Sequence, residues 1–180
     1  MRKISKLLVV AALSLLVGGV ANAQVSVGIA PGIQIPLGDF GDAVNLGFGG
    51  SVSGEYLVTE NIGVGLGLGY YSFGSDMDGF SASIMPIALN GKYYFTTEGF
   101  KPYGGLDLGY YILGAKVEAF GMSVSTSEGY IGLAPVLGFQ YGFSDALALD
   151  VNAKYNLIFS EGSSTSTLGL NVGIVYSFGK

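Results

Sequence analysis

The sequence predicts an all-β chain closed as an eight-stranded antiparallel up-and-down transmembrane β-barrel. Three observations predict it. From Gln24 onward apolar residues alternate with small or polar ones, the period of a strand rather than of a helix. Short and long connections between the alternating segments then follow each other strictly, the mark of a membrane-spanning meander with tight turns on one side and loops on the other. Finally, only 12% of the 180 residues are charged although 49% are hydrophobic. A soluble domain carries about 25% charged residues, so the apolar surplus needs a non-aqueous neighbour.

Residues 1–23 are expected to be a cleaved signal peptide of the Sec type, with the barrel domain over 24–180. Arg2, Lys3 and Lys6 precede the apolar stretch Leu7–Ala21, and Ala21-Asn22-Ala23 forms a small-x-small cleavage site. Without that leader five lysines face thirteen acids, a net charge of −8. A basic stripe is the usual footprint of nucleic-acid binding, so nucleic acid is excluded as a partner. The chain has no Cys and no His, which removes disulfides, thiolate and imidazole metal sites and His-dependent catalysis. No enzyme, cofactor or metal site is therefore expected.

Each strand has an aliphatic face and a glycine-rich or polar one. The first sets Val25, Val27, Ile29 and Ile33 against Ser26, Gly28, Ala30 and Gly32; the second sets Phe48, Val52 and Tyr56 against Ser51, Ser53 and Glu55. In the third, Ile62, Val64, Leu66, Leu68 and Tyr70 alternate with Gly63, Gly65, Gly67 and Gly69, and in the fourth Ile87, Leu89, Tyr93 and Phe95 alternate with Ala88, Asn90, Lys92 and Tyr94. Leu106, Leu108 and Tyr110 of the fifth oppose Tyr103, Asp107 and Tyr111, and Leu137, Phe139, Tyr141 and Phe143 of the sixth oppose Gly138 and Gln140. In the seventh Leu149, Val151 and Tyr155 oppose Asp150, Asn152 and Lys154, and the eighth sets Leu170, Val172, Ile174, Tyr176 and Phe178 against Asn171 and Gly173. Short turns are expected at Val58–Asn61, Thr96–Gly99 and Ser144–Ala146, and long loops at Gln34–Val44, Gly74–Ser83, Gly114–Glu128 and Ser160–Ser166, with the fifth and sixth strands continuing above the membrane to a turn near Phe120-Gly121. Pro31, Pro86 and Pro135 fall within strands, where a missing donor is expected to produce a bulge or a strand boundary.

Orientation follows from charge. Glu55, Lys92, Asp107, Asp150 and Lys154 all lie on the glycine-rich face, too sparse for the exterior of a soluble protein. Inverted, the aliphatics meet lipid, and Glu55, Asn90, Lys92, Asp107, Gln140, Asp150, Asn152 and Lys154 form a polar network in a narrow lumen. That network either lines a path for small solutes or consists of ion pairs filling the interior. Lone buried charges are costly, so each lysine should find a carboxylate. The expected pairs are Lys92 with Asp107 and Asp150 with Gln140, leaving Glu55 to reach water at the short-turn mouth. The strand-three glycines would leave room for inward tyrosines, with a small apolar-aromatic pocket as a further possibility. Tyr56, Tyr93, Phe95, Tyr141, Phe143, Tyr176 and Phe178 form an aromatic girdle at the short-turn rim, because an apolar ring with a polar hydroxyl settles at an interface. Asp39, Asp42, Asp76, Asp78, Glu118, Glu128 and Glu161 against Lys116 make the outer loops acidic; no acid completes a calcium-loop spacing after Asp76-Met77-Asp78-Gly79.

The stretch from Pro86 to Phe95 (Pro-Ile-Ala-Leu-Asn-Gly-Lys-Tyr-Tyr-Phe), Lys101-Pro102-Tyr103-Gly104-Gly105 with Asp107, and the Val175-Tyr176-Ser177-Phe178 ending resemble the bacterial outer-membrane β-barrel family, the small porin-like barrels of the OmpA and OmpX type. The resemblance implies residence in the outer membrane of a diderm (Gram-negative) bacterium, with lipid and lipopolysaccharide as surroundings and the outer-membrane insertion machinery as a partner in biogenesis. Gly179-Lys180 after the last aromatic depart from the family ending. The function expected is a non-enzymatic, monomeric barrel with a structural or surface-interaction role whose extracellular ligand the sequence does not name; the alternative is a narrow porin-like channel or transporter for small or apolar solutes.

Overall fold

Alternation at a period of two fixes which face each strand buries, and the register shows the result. The computed structural model describes residues 25–77, 79–119, 122–160 and 163–178. The expected signal peptide, Asp78, the turn at Phe120-Gly121 and Glu161 lie outside them. The elements are β1 (Val25–Leu37), α1 (Asp39–Ala43), β2 (Gly47–Leu57), β3 (Ile62–Phe73), β4 (Phe80–Tyr94), β5 (Phe100–Ala119), β6 (Met122–Gly142), β7 (Leu147–Ser160) and β8 (Ser163–Phe178). The strands pair antiparallel in chain order, and β1 pairs with β8 to close the barrel. Closure leaves no sheet edge along the spanning part, which hydrocarbon requires because it offers no hydrogen bond to a stray amide.

The aliphatic residues point outward. Leu66 opposes Leu89, Leu89 opposes Leu108, Leu108 opposes Leu133 and Leu133 opposes Leu157, a row of leucines running across five strands. Leu89 is 64% exposed, whereas Tyr103 and Tyr111 on the other face are buried. This inside-out distribution is stable only with lipid around it.

The prolines correct one expectation. Neither a bulge nor a strand boundary forms at Pro31, Pro86 or Pro135. The β3–β4 ladder pairs Leu68 with Ile87 and resumes at Tyr71 with Ile84 in the same register; the β1–β8 ladder resumes likewise at Gly32 with Asn171, and β6–β7 at Val136 with Lys154. Each proline keeps its partner on the opposite side, Pro31 with Gly50, Pro86 with Tyr111 and Pro135 with Leu106. The missing N–H therefore interrupts one ladder locally, and the neighbouring pairs hold the register across the gap.

Connections differ from expectation at three places, one of them Phe80–Ser83, expected at the end of a loop but paired within β4. Gln34, expected in a loop, lies inside β1 and pairs with Gly47 and Gly169. The segment expected as a loop over Ser160–Ser166 is mostly hairpin, with Ser160 opposite Ser163 and Leu157 opposite Ser166. Its serines and threonines read as loop by composition, yet hydroxyl side chains fit a pleated ladder. The β5–β6 ribbon does run beyond the barrel, with pairing continuing to Ala119 opposite Met122.

Candidate functional site

The lumen is where the chain concentrates polar chemistry, and it is built in layers. Lowest, towards the short turns, Lys92 on β4 pairs with Glu55 on β2 at 2.8 Å. The two strands are separated by β3, and the side chains meet because Gly63 and Gly65 stand between them; a Cβ at Gly63 would lie 2.8 Å from the Glu55 carboxyl carbon. The Tyr94 hydroxyl donates to Glu55 at 2.6 Å. Gln140 donates to Tyr94 Oη and to Asp150, each at 3.2 Å. The Tyr103 hydroxyl donates to Asp150 at 3.0 Å, and the Asn152 amide donates to it at 2.6 Å. Lys92 Nζ also sits 4.9 Å from the centre of the Tyr103 ring, a cation–π contact.

Above this layer Lys154 on β7 reaches across β6 to Asp107 on β5 at 2.7 Å. Asn152 accepts from Asn171 at 3.0 Å, and Asn171 in turn accepts from the Tyr71 hydroxyl at 2.8 Å. A continuous chain of polar contacts thus runs Lys92–Glu55–Tyr94–Gln140–Asp150–Asn152–Asn171–Tyr71. A second unit ties the seam where the barrel closes: Thr167 on β8 donates to Gln34 on β1 at 2.8 Å, Asn156 donates to both, and Tyr111 donates to Asn156. The top layer is apolar. Phe73 and Ile158 are fully buried there with Val44, Ile84 and Tyr111, and Phe40 of α1 packs against them.

Every residue expected in the polar network lies on the inward face, but the pairing differs in two respects. Lys92 takes Glu55, and Lys154 takes Asp107; the acid without a lysine in direct contact is Asp150, held by three neutral side chains. Asn90 stands directly opposite Asp107. Strand alternation assigns a face and is silent on reach. Because a closed barrel shears, a lysine meets the strand beyond its neighbour wherever the neighbour presents glycine or a small residue. The β3 glycines therefore make room for Glu55 and Asn90, while Tyr111 and Tyr103 lie across Gly132 and Gly138 of β6. Gln34, Asn156, Thr167 and Asn171 lie outside the expected network; the alternation of β7 and β8 carries the signal for Asn156 and Asn171. The apolar layer is filled, and the internal cavity, about 70 Å³, is lined by Tyr71, Tyr103, Tyr111 and Val136 as well as by Asn90, Asp107 and Lys154.

Outside, Tyr93 with Phe95, Tyr141 with Phe143, and Tyr176 with Phe178 stack edge to face at 5.6, 5.7 and 4.8 Å on the outer wall at the short-turn rim. Tyr56 lies at the same level, paired with Val25 and Val64. Phe100 and Phe139, rings 5.0 Å apart, join this rim beyond the expected set.

A family model described as an outer membrane protein beta-barrel domain matches residues 7–178. The chain belongs to that family. Membership implies the outer membrane of a diderm bacterium as its location. No curated protein matches the chain. Among solved structures it is similar to Neisserial surface protein A (20% identity, 87% of this chain and 97% of that one, TM-score 0.64), to a major outer membrane protein of Thermus thermophilus (17%, 87% and 100%, 0.63) and to Ail, the attachment invasion locus protein of Yersinia pestis (18%, 87% and 97%, 0.57). At these identities the likeness speaks for the fold alone.

Proposed function

We propose that this outer-membrane barrel is a non-enzymatic, monomeric protein with a structural and surface-interaction role, and that its lumen is a filled core that conducts no solute. The observation that carries this reading is the layering of the interior. Two ion pairs and a hydrogen-bonded chain cross the lumen, and a layer of Phe73, Val44, Ile84 and Ile158 closes it towards the long loops. Opening a path would separate buried charges from their partners, which is strongly unfavourable where the surroundings are poorly hydrated. The reading includes Sec-type export with removal of residues 1–23, insertion by the outer-membrane machinery, and lipid and lipopolysaccharide as surroundings. The aromatic pairs at the short-turn rim would anchor it at the inner interface.

The second reading, a narrow channel or transporter, has one observation in its favour, the cavity of about 70 Å³, lined in part by Asp107, Asp150 and Lys154. That volume holds a few waters, each needing roughly 10–15 Å³. Planar-bilayer recording separates the two. Refolded protein is expected to give a silent trace at neutral pH and moderate voltage; discrete, reproducible conductance steps would establish the channel instead.

A further inference from the structure

The charges enclosed in the lumen do not balance. Glu55, Asp107 and Asp150 are buried carboxylates, and two lysines reach them, Lys92 on Glu55 and Lys154 on Asp107. Three carboxylates against two ammonium groups leave one negative charge. Asp150 has no cation in contact. Tyr103, Gln140 and Asn152 donate to it, which orients the carboxylate and leaves its charge in place. Lys101, the next lysine on the inward phase, stands opposite Gln140 at the short-turn mouth and belongs to none of the ion pairs among the described residues. An uncompensated charge enclosed at membrane depth is strongly unfavourable.

The same lumen leaves two oxygens without a donor. Lys154 engages Oδ2 of Asp107 at 2.7 Å, and no hydrogen bond among the described residues goes to Oδ1. Directly opposite on β4, Asn90 is 9% exposed, and its carboxamide oxygen has no donor among the described residues. Opposed residues on one face of an antiparallel pair hold their Cβ atoms about 4.5–5.5 Å apart, so one ion can touch both side chains. Both line the internal cavity of about 70 Å³, as does Asp150. A buried acceptor left unpaired is costly, and carboxylate and carbonyl oxygens together are the ligands that hard cations prefer.

We propose that this cavity binds one monovalent cation, sodium or potassium, held by Oδ1 of Asp107, the carboxamide oxygen of Asn90 and water, and that the ion supplies the charge the lumen lacks. The inference rests on the filled-core reading above and adds one component to that core. Asp107 stands between the two cations, with Lys154 on Oδ2 and the ion on Oδ1. The cavity admits an ion with a few waters, each needing roughly 10–15 Å³. Valence follows from the surplus: one positive charge neutralises the lumen, and a divalent ion would overshoot it. Calcium also takes about 6–8 oxygens, more than Asp107 and Asn90 present.

The test is urea unfolding of the full barrel in phosphatidylcholine vesicles, with sodium or potassium chloride exchanged for N-methylglucamine chloride at constant ionic strength. The organic cation is too bulky for the cavity. Above the dissociation constant, the unfolding equilibrium constant should fall about tenfold for each tenfold rise in the small cation, as one ion bound only to the folded state requires. Asn90→Leu keeps the approximate volume and removes the oxygen; it is expected to fold, as heat-dependent gel mobility reports, and to lose that dependence. Asp150→Asn removes the surplus charge without touching the ion, and should move the dependence to sodium concentrations higher on the order of tenfold. The proposal is overturned if stability is equal in all three chlorides, or if Asn90→Leu responds to sodium as the unaltered chain does, which would put the ion on the lipid or the acidic loops. It is overturned equally if Asp150→Asn leaves the dependence unchanged, or if calcium chloride stabilises the barrel where sodium does not. Planar-bilayer recording in the same salts separates this site from the reading beneath it. A silent trace without cation-dependent stability sinks the ion site alone, whereas discrete sodium or potassium steps sink the filled core.

Discussion

Lys92→Met is expected to lower the unfolding free energy of the barrel by about 3–5 kcal/mol, the loss seen when one partner of a buried ion pair is removed. Glu55 is only 8% exposed and would keep a single donor, the Tyr94 hydroxyl. The loss comes mainly from stranding that carboxylate, so the paired replacement Lys92→Met with Glu55→Gln should recover most of it. A double-mutant cycle by urea unfolding in lipid vesicles measures both terms. A single-variant loss below ~1 kcal/mol would mean that the pair behaves like a hydrated surface bridge, and the lumen would then be wetter than its layering indicates.

Leu89→Arg is expected to be nearly as damaging, for a different reason. Leu89 projects from the middle of the leucine row, flanked by Leu66 and Leu108. An arginine at the mid-plane of a barrel's lipid face is unfavourable by about 2–4 kcal/mol, falling to about 0–1 near an interface. The same substitution at Leu147, the first residue of β7 beside a short turn, should therefore be tolerated. Unfolding of the two variants in one lipid gives the depth profile directly; equal losses at both positions would place the hydrocarbon band elsewhere.

The faces of the strands are legible in the sequence because a period of two is a local property: Gly63, Gly65 and Gly67 alternate with Ile62, Val64 and Leu66 whatever the rest of the chain does. The partners of the charged groups are not. Proximity across a turn points Lys92 at Asp107, but it finds Glu55 two strands away over the glycines of β3, a consequence of barrel shear that no single strand records. Gln34 reads as loop because Pro36 and Gly38 follow it closely, although the ladder to β8 runs on to Leu37. The hairpin at Ser160–Ser163 is hidden by its hydroxyl-rich composition. The extension of β5 and β6 above the barrel is visible, since the alternation continues through Lys116–Ser125.

The most direct test of the orientation uses the absence of tryptophan from the sequence. Single reporters introduced as Leu89→Trp on the outer wall and Tyr103→Trp in the lumen can be read without background, in vesicles of lipids brominated along the acyl chain. Strong quenching of the first and none of the second is expected if aliphatic side chains face hydrocarbon and the charged network is enclosed. Quenching of the Tyr103 reporter with a bright Leu89 reporter would contradict it.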